Sequence, residues 1–98
     1  MLRVFVVDDD PNIVEKMVDQ IRAMGHIAYG STVGNKLPVN ADDVVILDAH
    51  LSPGDTFSKE GMTRVVTMSG DPSVSPDLHK PVDMGHVKKI LEKFKKEL

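Results

Sequence analysis

Hydrophobic residues follow two rhythms along this chain. Short unbroken runs, VFVV at 4–7, VVIL at 44–47 and VVTM at 65–68, are rich in β-branched side chains and stop abruptly at polar residues. Such runs read as strands buried on both faces, over 3–7, 44–47 and 64–68. Elsewhere the apolar residues recur at helical spacing. Ile13, Val14, Met17, Val18, Ile21 and Met24 form one stripe, and Met84, Val87, Ile90, Leu91, Phe94 and Leu98 form another. Asp10 before Pro11 and Asp83 before Met84 are suited to cap the two helices, and Gly25 is suited to stop the first. Residues 26–32 (HIAYGST) read as a second, poorer strand, and 77–79 as a stub of a fifth. The stretches 33–43 and 69–76, broken by Gly, Pro, Ser and Asn, read as loops. Ser52-Pro53-Gly54-Asp55 is turn chemistry, and 56–61 has room for a short helix at most.

Strand, helix, strand, further strands and a closing amphipathic helix predict an α/β fold, a doubly wound parallel sheet forming one domain over residues 1–98. Parallel strands normally need crossovers of about a dozen residues or more. The connections at 33–43 and 69–76 are too short and broken for good helices. A hydrophobic content of 41% suits a globular domain. The net charge of −3 gives no reason to expect nucleic acid or an anionic membrane as partner. No apolar run approaches the ~20 residues of a membrane span. With no cysteine, disulfides and thiolate metal sites are excluded. The N-terminus, one Arg followed by acids, does not resemble a secretion signal, so a cytoplasmic location is expected.

The chemistry lies where the apolar runs end. Asp8-Asp9-Asp10 follows VFVV, Asp48 follows VVIL, Ser69 follows RVVTM, and Lys80-Pro81 follows the stub. Open parallel sheets place their sites outside the carboxyl ends of the strands, so these groups should converge on one edge. Clustered carboxylates repel one another unless a cation intervenes. Mg²⁺ prefers one or two carboxylates with waters and phosphate oxygens, and phosphoryl transfer needs mainly positioning and charge stabilisation. The combination points to phosphoryl transfer onto Asp48, giving an acyl phosphate. Asp10 reads better as a helix cap than as a ligand. His26, His79 and His86 have no ligand spacing, and the methionines fall on core positions. The glycines of 30–34 do not follow a strand and open a helix, so no nucleotide loop is expected.

Taken in order, VFVVDDD, VVILDAHL, VVTMSGD and HKPVD resemble the receiver domain of two-component response regulators. The resemblance spans nearly the whole chain. It implies a flavodoxin-like five-stranded parallel sheet of order 2-1-3-4-5. It implies Mg²⁺ held directly by Asp9 and Asp48, by Asp8 through water, and by the backbone carbonyl of His50. Asp48 would be the phosphoacceptor, and Lys80 and Ser69 would hold phosphoryl oxygens, the serine hydroxyl acting as a switch. The phosphate would come from a histidine kinase or phosphotransfer protein, and the domain would catalyse only its own phosphorylation and dephosphorylation.

The chain also departs from that pattern. The turn after Asp48 is looser, Asp77 stands where an aromatic switch residue is usual, and the spacings leave the second and fourth helices reduced or absent. A sheet apolar on both faces would then lie partly bare on one side, which predicts a homodimer or docked partner there. Two other readings stay open: a non-switching pseudo-receiver acting as an interaction module, and a small haloacid-dehalogenase-like phosphohydrolase. The second would phosphorylate Asp8 rather than Asp48.

Overall fold

The computed structural model describes residues 2–32, 42–48, 64–71 and 76–97. Within them the elements run β1 (Arg3–Val7), α1 (Pro11–Ala23), β2 (Ile27–Ser31), β3 (Val44–Asp48), β4 (Arg64–Ser69), β5 (Leu78–His79) and α2 (Met84–Lys96). All pairings are parallel, and the strand order is β2-β1-β3-β4-β5. This is the flavodoxin-like order expected from the sequence. Among the described residues two helices are present. None is long and apolar enough to cross a membrane.

The helix ends form as local chemistry dictates. Asp10 accepts a hydrogen bond from the Asn12 N–H at 2.9 Å, with Pro11 opening α1. Asp83 accepts from the Gly85 N–H at 2.8 Å to start α2. At the far end of α1, Gly25 turns to φ +92°, donates to Arg22 O, and lets His26 N–H reach Ile21 O. This pair of bonds is the Schellman arrangement, which requires a residue tolerant of positive φ.

Alternation along the strands divides the core between the two faces. Leu2, Val4, Val6, Val44, Ile46, Val66 and Met68 meet Val14, Met17, Val18 and Ile21 of α1 and Val87 and Leu91 of α2. Both helices therefore cover the same face. Gly30 of β2 permits α1 to lie close, because a Cβ there would collide with Val14 Cγ1. At the opposite end from the polar cluster, ion pairs Arg3–Asp43 (3.2 Å) and Arg64–Asp42 (3.7 Å) tie the starts of β1 and β4 to the residues before β3.

The second face carries Phe5, Val7, Val45 and Leu47, with Val65 beside them. The expectation that this face lies partly bare is corrected here: all four are buried within the single chain, Leu47 being the most exposed at 6%. Part of the reason is visible in the side chains. Tyr29 packs its ring 5.4 Å from that of Phe5, and the Arg3 guanidinium lies 5.3 Å over the same ring. The physical ground for a dimer through a bare sheet centre is thereby removed. Among the described residues, the large exposed apolar side chains are Ile27 and Tyr29, on the edge strand β2. The short helix expected at 56–61, and most of the loop expected at 33–43, lie outside the described residues.

Candidate functional site: an acidic cluster with one lysine

Register explains why the acids meet. Val7 of β1 lies opposite Leu47 of β3, so Asp8 and Asp48 occupy the next rung, where neighbouring strands are ~4.8 Å apart. Both also continue the parity of Val6 and Ile46, which pack toward the helices. Carboxylate oxygens of Asp8, Asp9 and Asp48 all lie within 4.8 Å of one another. Asp8 is fully buried and Asp48 is 3% exposed, whereas Asp9 stands in solvent.

Lys80 enters this cluster from the β5 end of the sheet. It follows β5 directly, and its peptide bond to Pro81 is cis. Its Nζ lies 2.7 Å from Asp8 Oδ2 and 3.4 Å from Asp48 Oδ2. Asp8 is held at both oxygens, since Oδ1 also accepts the Asp10 N–H at 2.8 Å. Ser69, the buried last residue of β4, accepts the Asp71 N–H on its hydroxyl at 3.0 Å and the Lys80 N–H on its carbonyl at 2.9 Å.

The electrostatics record an excess of negative charge. The carboxyl of Asp9 is pushed above its ordinary 3.8, first through its hydrogen bond with Asp8, then by desolvation and by the charges of Asp48 and Asp8. Burial works to lower the pKa of Lys80. The hydrogen bond and charge of Asp8, with Asp48 behind them, outweigh burial and hold it above 10.5. One ammonium facing three carboxylates leaves the group short of positive charge. Oxygen donors at these separations suit a hard divalent cation, so the residues present fit Mg²⁺.

The structure thus brings Asp8, Asp9, Asp48 and Lys80 together and sets Ser69 at the same sheet edge through the Lys80 amide. His50, expected to offer a backbone carbonyl, lies outside the described residues. Asp10 caps α1, as its position before Pro11 suggested. Sequence reasoning missed the partner of Asp77. That residue is tied to Thr67, and an exposed acid and threonine ten positions apart carry no periodic signal.

No protein-family model matches the chain, and no curated protein matches it. Solved structures do. The chain is similar to a response regulator receiver protein from Pseudoalteromonas atlantica, with TM-score 0.76 at 12% identity, covering 97% of this chain and 98% of that one. It is similar also to a response regulator receiver protein from Pseudomonas putida (TM-score 0.67, 19% identity, 94% and 96% covered). A third is the signal receiver domain of an HD domain-containing protein from Pseudomonas fluorescens Pf-5 (TM-score 0.66, 15% identity, 97% and 98% covered). The fold is the receiver-domain fold, in a short form with two helices among the described residues.

Proposed function

We propose that the protein is a phosphorylatable receiver domain of a two-component phosphorelay, with Asp48 as acceptor. The observation that carries this reading is the buried Asp8–Asp48 rung with Lys80 Nζ between the two carboxylates, at the carboxyl edge of a 2-1-3-4-5 sheet. A carboxylate oxygen of Asp48 attacks the phosphorus of the donor. The new O–P bond forms as the donor's P–N or P–O bond breaks, and the electron pair leaves with the donor group. Lys80 neutralises charge on the phosphoryl oxygens, and the Ser69 hydroxyl donates to one of them. Asp8, Asp9 and Asp48 would hold Mg²⁺, which supplies charge neutralisation for the phosphoryl group when bound. Water later attacks the acyl phosphate, releasing inorganic phosphate and restoring the carboxylate.

Asp8 is poorly placed as an acceptor: it is fully buried, its Oδ1 accepts the Asp10 N–H and its Oδ2 lies 2.7 Å from Lys80 Nζ. This weighs against the phosphohydrolase reading. The donor would be a histidine kinase or phosphotransfer protein in the cytoplasm, and the output would pass through protein contacts. The test is intact-mass analysis after incubation with Mg²⁺ and a small acyl phosphate. A single phosphoryl adduct that is absent from Asp48→Asn supports the reading. No adduct, with Mg²⁺ binding retained, would replace it by the non-switching interaction module.

A further inference from the structure

β5 is attached to the sheet by very little backbone. Its two residues, Leu78 and His79, pair with Met68 and Ser69 of β4, and Lys80 N–H adds one bond to Ser69 O. The residue at the end of this short attachment must nevertheless hold its ammonium 2.7 Å from Asp8 and 3.4 Å from Asp48. What fastens the entry to β5 is a pair of side chains. Asp77 Oδ2 accepts the Thr67 backbone N–H at 3.0 Å and the Thr67 Oγ1–H at 3.3 Å. The Asp77 N–H donates in return to Thr67 Oγ1 at 3.1 Å. By register, Asp77 lies opposite Thr67 on the rung before Met68–Leu78. A carboxylate and a hydroxyl thus complete a rung that two residues of strand leave open.

We propose that Asp77 is a positioning residue for Lys80: the Asp77–Thr67 clasp fixes the register of β5 on β4 and thereby sets the lysine ammonium between Asp8 and Asp48. The inference rests on the phosphoryl-transfer reading and adds a residue to it. The clasp needs an accepting oxygen at position 77, not a charge, so an asparagine keeps it and an alanine does not. Both residues are reached by water, which competes for these bonds, so the effect is partial rather than a complete loss.

The test compares wild type with Asp77→Ala, Asp77→Asn, Thr67→Val and the Thr67→Val/Asp77→Ala double variant. Three quantities are read: the rate of adduct formation at saturating Mg²⁺ and acyl phosphate, the Mg²⁺ affinity, and amide hydrogen exchange at Lys80 and in α1. Asp77→Ala should slow adduct formation about fivefold, well short of the ~10²-fold that a 1 Å misplacement can cost, because the clasp is exposed to water. Mg²⁺ affinity should not weaken, since Asp8, Asp9 and Asp48 are untouched. Exchange at the Lys80 amide should quicken about fivefold while α1 keeps its protection, as local loosening requires. Asp77→Asn should recover to within about twofold on both counts. The double variant should be no slower than Asp77→Ala, because both changes break one clasp. Wild-type rate and Lys80 protection in Asp77→Ala would overturn the proposal, as would an asparagine variant as slow as the alanine. A wild type that forms no adduct defeats the phosphoryl-transfer reading instead. The Lys80 exchange data would then decide the clasp by themselves: faster exchange in the alanine variant with recovery in asparagine supports it, and unchanged exchange refutes it.

Discussion

Replacing Lys80 by methionine removes the ammonium and keeps an unbranched stem of similar length. Asp8, fully buried, then loses the charge 2.7 Å from its Oδ2, and Asp48 loses one 3.4 Å away. At an effective dielectric of ~20, unit charges this close attract by ~5–6 kcal/mol each before desolvation is counted. Desolvating the lysine offsets much of that, and breaking a buried pair typically costs ~3–5 kcal/mol. The lysine side chain is 23% exposed, so solvent screening brings the expected loss to ~2–3 kcal/mol. For a domain of this size each kcal/mol moves Tm by ~4–8 °C, so Tm should fall by ~10–20 °C in chelator at low salt. The assay is thermal unfolding by circular dichroism, repeated at saturating Mg²⁺. A divalent cation among the same carboxylates replaces part of the lost positive charge, so the difference should shrink by at least half. A Tm change under ~3 °C in chelator, or an equal drop with and without Mg²⁺, would refute the electrostatic account of this cluster.

Other positions make separate predictions. Asp9→Asn should abolish Mg²⁺ stabilisation yet raise Tm in chelator, because ionised Asp9 stands against Asp8 and Asp48. Its folded pKa lies above 3.8, so the folded state binds the proton more tightly; wild type should gain stability relative to Asp9→Asn as pH falls through that raised pKa, measured by denaturant titration. Gly30→Ala should lose about 2 kcal/mol in urea unfolding, because the new Cβ meets Val14 Cγ1 and the β-branched valine cannot turn cheaply within α1. In a Val14→Ala background the same change should cost much less. His26 is held below 6.5 by burial and by Lys95 and the N-terminal amine, against the opposing pull of Glu92, and its Nδ1 accepts the Leu2 N–H at 3.3 Å. Protonation is therefore disfavoured in the fold, and stability should drop as pH falls from 6.5 toward the lowered value. His26→Asn should flatten that limb in a pH series of Tm measurements.

Much of this architecture can be read in the chain because local and global signals agree. The runs VFVV and VVIL are apolar at every position, as strands enclosed on both faces must be, and the first polar residue after each marks the edge of the sheet. Asp10 with Pro11, Asp83, and Gly25 each state a helix boundary in their own chemistry, and all three act as that chemistry requires. The meeting of Asp8 with Asp48 follows from two strand ends in register.

The cover of the second face was not legible. Burial of Phe5 depends partly on Tyr29 and Arg3 folding over it from neighbouring positions of the sheet, and no periodicity announces such side-chain stacking. The same holds for Asp77 and Thr67. Their partnership depends on which rung β5 adopts, and β5 is too short for its own sequence to say. Buried Asp43 likewise pairs with Arg3 at the start of the neighbouring strand, a partnership that its own place in the chain does not announce.

The central claim is that Asp48 takes the phosphoryl group while Asp8 and Lys80 hold the charge around it. The most direct test is to phosphorylate the protein with Mg²⁺ and a small acyl phosphate, trap the acyl phosphate by borohydride reduction, and locate the altered residue by peptide mass spectrometry. The account predicts reduction at position 48 alone. Reduction at position 8 would contradict it and assign the cluster to a different phosphoryl chemistry.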